Sequence, residues 1–220
     1  MKRMIPLFLS LAAVALTGCE TLKVPTVYDP VGYKPKNPSA VHVKVSLQNR
    51  MVYVMEGNKP LLVTATAIGT PAKPTPRGNF RVMEKIEHKR SGSYGFWVKG
   101  ENIVPGTRSE CPGSGYQYVG FPMQYWVGFS PGYGFHMGSV WPIPRTHGCL
   151  RLHENAAREF YEIVRMGTPV NISQTQPEDA TLGNNPPRPQ DYNDPDPPKS
   201  FTISPAVFKK DANDIPRDQP

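Results

Sequence analysis

Cysteine is scarce in this chain: three residues in 220, Cys19, Cys111 and Cys149, too few for a disulfide framework. The fold must therefore rest on a packed core, which a chain of this length can bury as one domain with tails. Long apolar runs are lacking too. The one sustained run, Met4 to Leu16, is too short to cross a bilayer comfortably. No stretch interleaves Lys and Arg with aromatics, so the usual mark of a nucleic-acid groove is missing and no nucleic-acid partner is expected. Cofactor motifs are lacking as well, and no cofactor is expected. Proline is abundant, at 26 residues, but crowded before Val41 and after Ser173, so the ends read as linkers around one domain.

The start of the chain joins a charged Met1-Lys2-Arg3 to the apolar run and then to Thr17-Gly18-Cys19, the layout of an export signal. Leu16-Thr17-Gly18-Cys19 resembles the bacterial lipobox, in which cleavage leaves a lipid on the cysteine. Residues 1–18 are thus expected as a lipoprotein signal peptide and Cys19 as the membrane anchor. Glu20 rather than Asp follows, which in a Gram-negative host points to the periplasmic face of the outer membrane. The formal charge of +7 is unevenly spread: residues 19–173 carry +8, while the stretch from Gln174 has eight acidic against five basic residues. A basic body exported to the envelope meets wall carboxylates and phosphates.

Residues 19–39 hold Pro25, Pro30, Pro35 and Pro38 and read as an extended tether. Alternation through Val41, Val43, Val45 and Leu47, then Met51 to Met55 and Leu61 to Ile68, predicts an antiparallel meander. A strand restarts at Phe80-Arg81-Val82, and a strand pair follows through Ile86 and Phe96 to Val98. Glycine, proline and serine between Gly100 and Pro122 predict an irregular lid. Pro122 to Phe129 is β-forming, with Tyr125 and Trp126 as candidate pocket walls. Ala156, Ala157, Phe160, Ile163 and Val164 recur at helical spacing, predicting one amphipathic helix from Glu154 to Met166 with Gly167 as its stop. Val170-Asn171-Ile172 gives a last strand. Residues 174–220 have ten prolines and no core pattern, and are expected to be disordered or a peripheral arm. The fold class is mainly β, with a domain over residues 40–173.

Thr146-His147-Gly148-Cys149-Leu150-Arg151 carries the chemistry. A thiol is only partly ionised near neutral pH and needs an imidazole, a cation or a backbone dipole beside it to act as a nucleophile. His136, His147 and Arg151 all offer that help. Gly148 removes side-chain bulk, so backbone N–H groups can approach a developing oxyanion. A zinc reading would use His136, His147, Cys149 and His153 as ligands; the glycine turn before Cys149 favours the nucleophile, and no metal is expected. Cys111 is expected as a small apolar filler rather than a partner for Cys149.

These residues resemble the L,D-transpeptidase catalytic domain (YkuD-like) family, whose signature is an upstream histidine followed by Ser/Thr-His-Gly-Cys, one residue, then Asn or Arg. Ile68-Gly69 and Thr75-Pro76-Arg77-Gly78-Asn79-Phe80 resemble its earlier strands and turn, so the likeness covers about residues 41 to 173. The resemblance implies a β-sandwich-like catalytic fold and a monomer acting on peptidoglycan stem peptides. It implies that Cys149 forms a thioester with release of a terminal D-amino acid, that an amine then resolves it, and that His136 is the base. The other ring nitrogen of His136 would be held by the carbonyl of Met137 or Gly138. His147 would orient the turn, the N–H groups of Gly148 and Cys149 would form the oxyanion hole, and Arg151 would steady the thiolate or meet a substrate carboxylate. Water as acceptor would make the same thioester an L,D-carboxypeptidase; a degenerate pocket would leave a wall-binding lipoprotein. The connection from His136 to Thr146 is shorter than the family's common spacing.

Overall fold

The computed structural model describes residues 28–208 and 216–219; the signal peptide and Cys19 lie outside the described residues. The valine alternation builds β1 (Val41–Ser46), and a turn through Arg50, in the left-handed region at φ 51°, leads into β2 (Met51–Glu56). Gly57, at φ 58°, turns the chain into β3 (Lys59–Ala67), a position where glycine relieves the clash other residues would suffer. These three strands form the predicted meander. After β4 (Gly78–Arg81) come β5 (Glu84–Lys99), β6 (Asn102–Thr107), β7 (Gln117–Ser130), β8 (Tyr133–Met137), β9 (Leu150–Leu152), α1 (Glu154–Ile163) and β10 (Pro169–Ser173).

The strands form one sheet of ten in the order β4-β10-β1-β2-β3-β9-β8-β7-β5-β6. Two pairings are parallel, β1 with β10 and β8 with β9. The two halves join where β3 meets β9, through Thr66 opposite Leu152 and Ala67 opposite Arg151. One core unites them: Val43, Val45, Val54 and Leu62 belong to the same buried cluster as Val127, Phe135, Leu150 and the α1 residues Ala156, Ala157, Phe160 and Ile163. Phe160 is fully buried, its ring centroid 4.5 Å from that of Phe135. The architecture is mainly β with one amphipathic helix, α1, soon after Cys149, as the sequence predicts.

Several local expectations give way. The pair anticipated through Ile86 and Phe96 is a single 16-residue strand, β5, with an irregular register against β7 between Arg90 and Gly95. The anticipated irregular lid contains β6 and the start of β7, paired with β5. Pro105 lies within β6, which is the edge strand of the sheet, where a missing donor does little harm. The helix ends at Ile163 rather than Met166: Val164 is already extended, and Gly167 makes its turn at φ 83°.

The two linkers are also more structured than their composition suggests. Of the 19–39 tether, Tyr28 shares a hydrogen bond with the Thr64 hydroxyl and accepts one from the Ala65 N–H, each 2.9 Å long. Residues 174–208, expected to be disordered, lie as an arm along the sheet. Gln176 is buried and donates to the Val45 carbonyl. Asp179 accepts from the Tyr53 and Ser46 hydroxyls, and Arg188 donates to the Asn49 carbonyl. A short α2 (Lys199–Ile203) packs on β7. Isolated polar and aromatic anchors hold this arm, which is why no hydrophobic periodicity announces it.

Candidate active site

Strand parity assembles the site. His136 on β8 is the register partner of Arg151 on β9, so their side chains share one face of the sheet, and Cys149, immediately before β9, is near enough to Arg151 for the guanidinium to act on its thiol. On β8 the next same-face position towards Cys149 is Gly134, where a Cβ would lie 2.7 Å from the Trp126 ring. Trp126 stacks on His136 at 6.2 Å between centroids. Cys149, His136, Arg151 and Trp126 are therefore brought together.

The turn before Cys149 is braced from two directions. The Thr146 hydroxyl donates to the Cys149 carbonyl at 2.6 Å and accepts from the Gly148 N–H at 3.1 Å. Thr146 also pairs with Gly69 in an isolated bridge, and the Gly69 N–H donates to the Thr75 hydroxyl. Gly148 sits at φ 108°, and a Cβ there would lie 2.5 Å from the Tyr133 ring; both facts require glycine. The Gly148 N–H, expected in the oxyanion hole, is thus occupied by Thr146. The Cys149 N–H remains the donor candidate, with no protein acceptor among the described residues.

His136 is buried, and its Nδ1 donates to the Met137 carbonyl at 2.8 Å. Met137 rather than Gly138 holds the ring: the Gly138 N–H donates to the Leu152 carbonyl, and Gly138 packs beneath the Arg151 side chain. With Nδ1 carrying the proton, Nε2 of the neutral ring is the lone-pair acceptor a base requires. Burial and the nearby Arg151 push the His136 pKa down to about 4, against the small opposing pull of Met137. Burial pushes the Cys149 thiol up; the Gly134 backbone, Arg151 and Lys89 pull the other way. The resting pair is accordingly a neutral thiol and a neutral imidazole.

The remaining residues take other places. His147 is exposed and stacks on Tyr94 at 4.2 Å, with Lys73 donating to the Tyr94 hydroxyl; it forms the rim. Burial, then Lys73 and Arg151, lower its pKa. Tyr125 is not a pocket wall. At φ 56° it turns into the core, its ring against Tyr161 of α1. His153 accepts from the Asn155 N–H as the N-cap of α1. Cys111 is exposed rather than a buried filler, and both it and Cys149 are free. Among the described residues no group of three His, Cys, Asp or Glu side chains is placed to hold a metal.

Sequence reasoning missed Glu84 and Lys89. The Trp126 indole N–H donates to Glu84 Oε2 at 2.6 Å, the Lys89 amine binds the same oxygen, and that amine lies 4.5 Å from the Trp126 ring centroid. This cluster lies behind His136. Its only sequence signal is a pair of opposite charges five residues apart in a strand.

No curated protein matched the chain. Among solved structures, an L,D-transpeptidase from Stackebrandtia nassauensis is 20% identical with a TM-score of 0.46, covering 66% of this chain and 60% of that one. L,D-transpeptidase 1 of Mycobacterium tuberculosis is 20% identical with a TM-score of 0.43, over 60% of this chain and 58% of that one. The Enterococcus faecium L,D-transpeptidase C442S mutant is 22% identical with a TM-score of 0.44, over 61% and 50%. The chain thus spans half to three fifths of the length of these proteins. The family model for the L,D-transpeptidase catalytic domain, YkuD, matches residues 40–172, from the residue before β1 to near the end of β10 and past the midpoint in coverage. The chain belongs to the YkuD family of L,D-transpeptidase catalytic domains.

Proposed function

We propose that the protein is a peptidoglycan L,D-transpeptidase working through a cysteine thioester. The observation that carries this reading is the His136 ring, fixed by Met137 as the Nδ1–H tautomer and paired in register with Arg151, whose guanidinium also acts on the Cys149 thiol. Cys149 Sγ attacks the carbonyl of a stem-peptide bond as His136 Nε2 takes the thiol proton, and the Cys149 N–H stabilises the oxyanion. Collapse of the intermediate breaks the C–N bond. The departing D-amino acid amine leaves with the proton from His136, and a thioester remains on Cys149. An acceptor amine then attacks the thioester, giving its proton to His136, and thiolate departure restores the thiol. Because neither partner is charged at rest, proton transfer accompanies attack.

Arg151 serves as the cation facing the reacting groups, either for developing negative charge or for a substrate carboxylate. Residues 1–18 and Cys19 supply, in this reading, export and a lipid anchor that hold the domain at the wall; labelling with palmitate, lost in Cys19→Ala, is the check.

Purified protein incubated with disaccharide tetrapeptides is expected to yield cross-linked or exchanged products, with none from Cys149→Ala. Absence of any product from the wild type, or full activity in Cys149→Ala, contradicts the proposal. Release of the terminal residue without joining identifies water as the acceptor and assigns an L,D-carboxypeptidase.

A further inference from the structure

Glu84 on β5, Gly128 on β7 and Gly134 on β8 are register partners in one row across the sheet. The two glycines leave that row bare, and the Trp126 indole fills it. A Cβ on Gly128 would lie 2.9 Å from Trp126 Nε1, and one on Gly134 would lie 2.7 Å from Cζ2 at the far edge of the same ring. The indole thus runs along the row from β7 to β8, its N–H end towards Glu84 and its benzene edge over the strand that carries His136. Glycine inside a strand commonly marks such a close approach.

Three contacts hold the ring there. Its N–H donates to Glu84 Oε2 at 2.6 Å, the Lys89 amine binds the same oxygen, and that amine lies 4.5 Å from the ring centroid. Lys89 above all, with Trp126, keeps the Glu84 carboxyl below its ordinary pKa against the effect of burial, so the indole bond is charge-assisted near neutral pH. Trp126 is buried, and its N–H, deprived of Glu84, would have no water to take the place of the carboxylate. The imidazole of His136 lies on the same indole, with 6.2 Å between centroids and 28° between planes. The Met137 carbonyl, 2.8 Å from Nδ1, settles the tautomer. One bond at one edge leaves the plane of the imidazole to the group packed against its face, and that group is Trp126.

We propose that Glu84 is a positioning residue: through the Trp126 indole it fixes the plane of the His136 imidazole, with Lys89 locking the carboxylate in place. Glu84 acts only through the indole. The inference rests on the acyl-transfer reading for what the imidazole does, though not for what holds it. An imidazole that tips carries Nε2 off the line of proton transfer, and a misplacement of about 1 Å at a reacting group can cost about 100-fold in rate.

The test reads the imidazole directly and needs no turnover. In full-length protein labelled with nitrogen-15, the His136 Nδ1–H should give a nuclear magnetic resonance signal that exchanges slowly with water and disappears in His136→Gln. Glu84→Ala should speed that exchange several-fold and shift the ring signals. Glu84→Gln, which keeps an acceptor for the indole, should restore most of the wild-type pattern. Trp126→Phe keeps an aromatic face but has no N–H to hold, so adding Glu84→Ala to it should change nothing further. An unmoved signal in a Glu84→Ala protein that still melts cooperatively overturns the proposal, as does an effect of Glu84→Ala that survives in the Trp126→Phe background. On disaccharide tetrapeptides, Glu84→Ala should lower kcat several-fold with KM unchanged. If the imidazole moves but the wild type makes no muropeptide product, the positioning stands and the transpeptidase reading fails; product formation with an unmoved imidazole gives the reverse.

Discussion

His136 is an imidazole that burial keeps unprotonated, and that has a thermodynamic signature. Its pKa falls from an ordinary 6.5 in the unfolded chain to about 4 in the fold. Between those values the unfolded chain binds a proton that the native ring refuses, so stability is intact above pH 6.5 and is lost as pH falls toward about 4, by up to about 3 kcal/mol. The charged and titratable groups at this ring are Arg151 and Cys149; the first stays cationic and the second neutral across that window. The unfolding free energy of wild type relative to His136→Gln should decline over this range in urea titrations, and a flat difference would refute the assignment. The thiol carries a matching expectation. In Cys111→Ser protein the thiolate absorbance of Cys149 should emerge only above its ordinary pKa of 9.0, because burial outweighs Arg151 and Lys89; a thiolate band at pH 7 would contradict a neutral resting pair. At this scale the sequence singles out the candidate residues, since the thiol of Cys149, the imidazole of His136 and the bare turn at Gly148 need each other's chemistry. It does not show that Thr146 occupies the Gly148 N–H, or that Tyr125 turns inward while its neighbour Trp126 supports the base. The placing of Tyr125 and Trp126 depends on the left-handed backbone of Tyr125 and on Glu84, 42 positions before Trp126.

Among the elements, α1 carries most of the consequence for the site. Its Phe160 is fully buried against Phe135, the residue before His136, so the helix props the strand that presents His136. Phe160→Ala should destabilise the protein by roughly 3–5 kcal/mol, measured by urea unfolding, and a change under about 1 kcal/mol would mean that the helix is not part of the main core. The helix is legible in the sequence because its apolar residues repeat at 3.6-residue spacing, and β1 to β3 are legible because theirs repeat at two. β6 is not: Pro105 and Gly106 are poor strand formers and are tolerated only because the strand lies at the sheet edge. Edge or centre is a property of the assembled sheet, and no local window contains it.

Over the whole molecule, the arm beyond residue 173 is part of the fold. Asp179 alone accepts from Tyr53 at 2.7 Å, Ser46 at 2.8 Å and the Gln176 N–H at 2.9 Å. Asp179→Ala strips partners from three donors at once and should lower stability by about 2–3 kcal/mol, visible as a lower melting temperature; an unchanged melt would show the arm to be dispensable. Composition alone reads this segment as disordered because ten prolines and a net acidic charge lack a periodic apolar face. What holds it are pairings more than a hundred residues apart in sequence, such as Tyr53 with Asp179 and Arg90 with Ser204.

The place of β10 has a consequence for how the chain reaches this state. The last strand of the sheet lies between β1 and β4 and pairs with both, so one half of the sheet closes only after nearly the entire domain has been delivered. Until then β1 offers an open edge to any other chain nearby. Contacts this distant in sequence make folding slow, and a copy emerging beside its neighbours is most exposed to aggregation during that interval. A chain stopped before Pro169 would carry Cys149 and His136 but would retain that open edge.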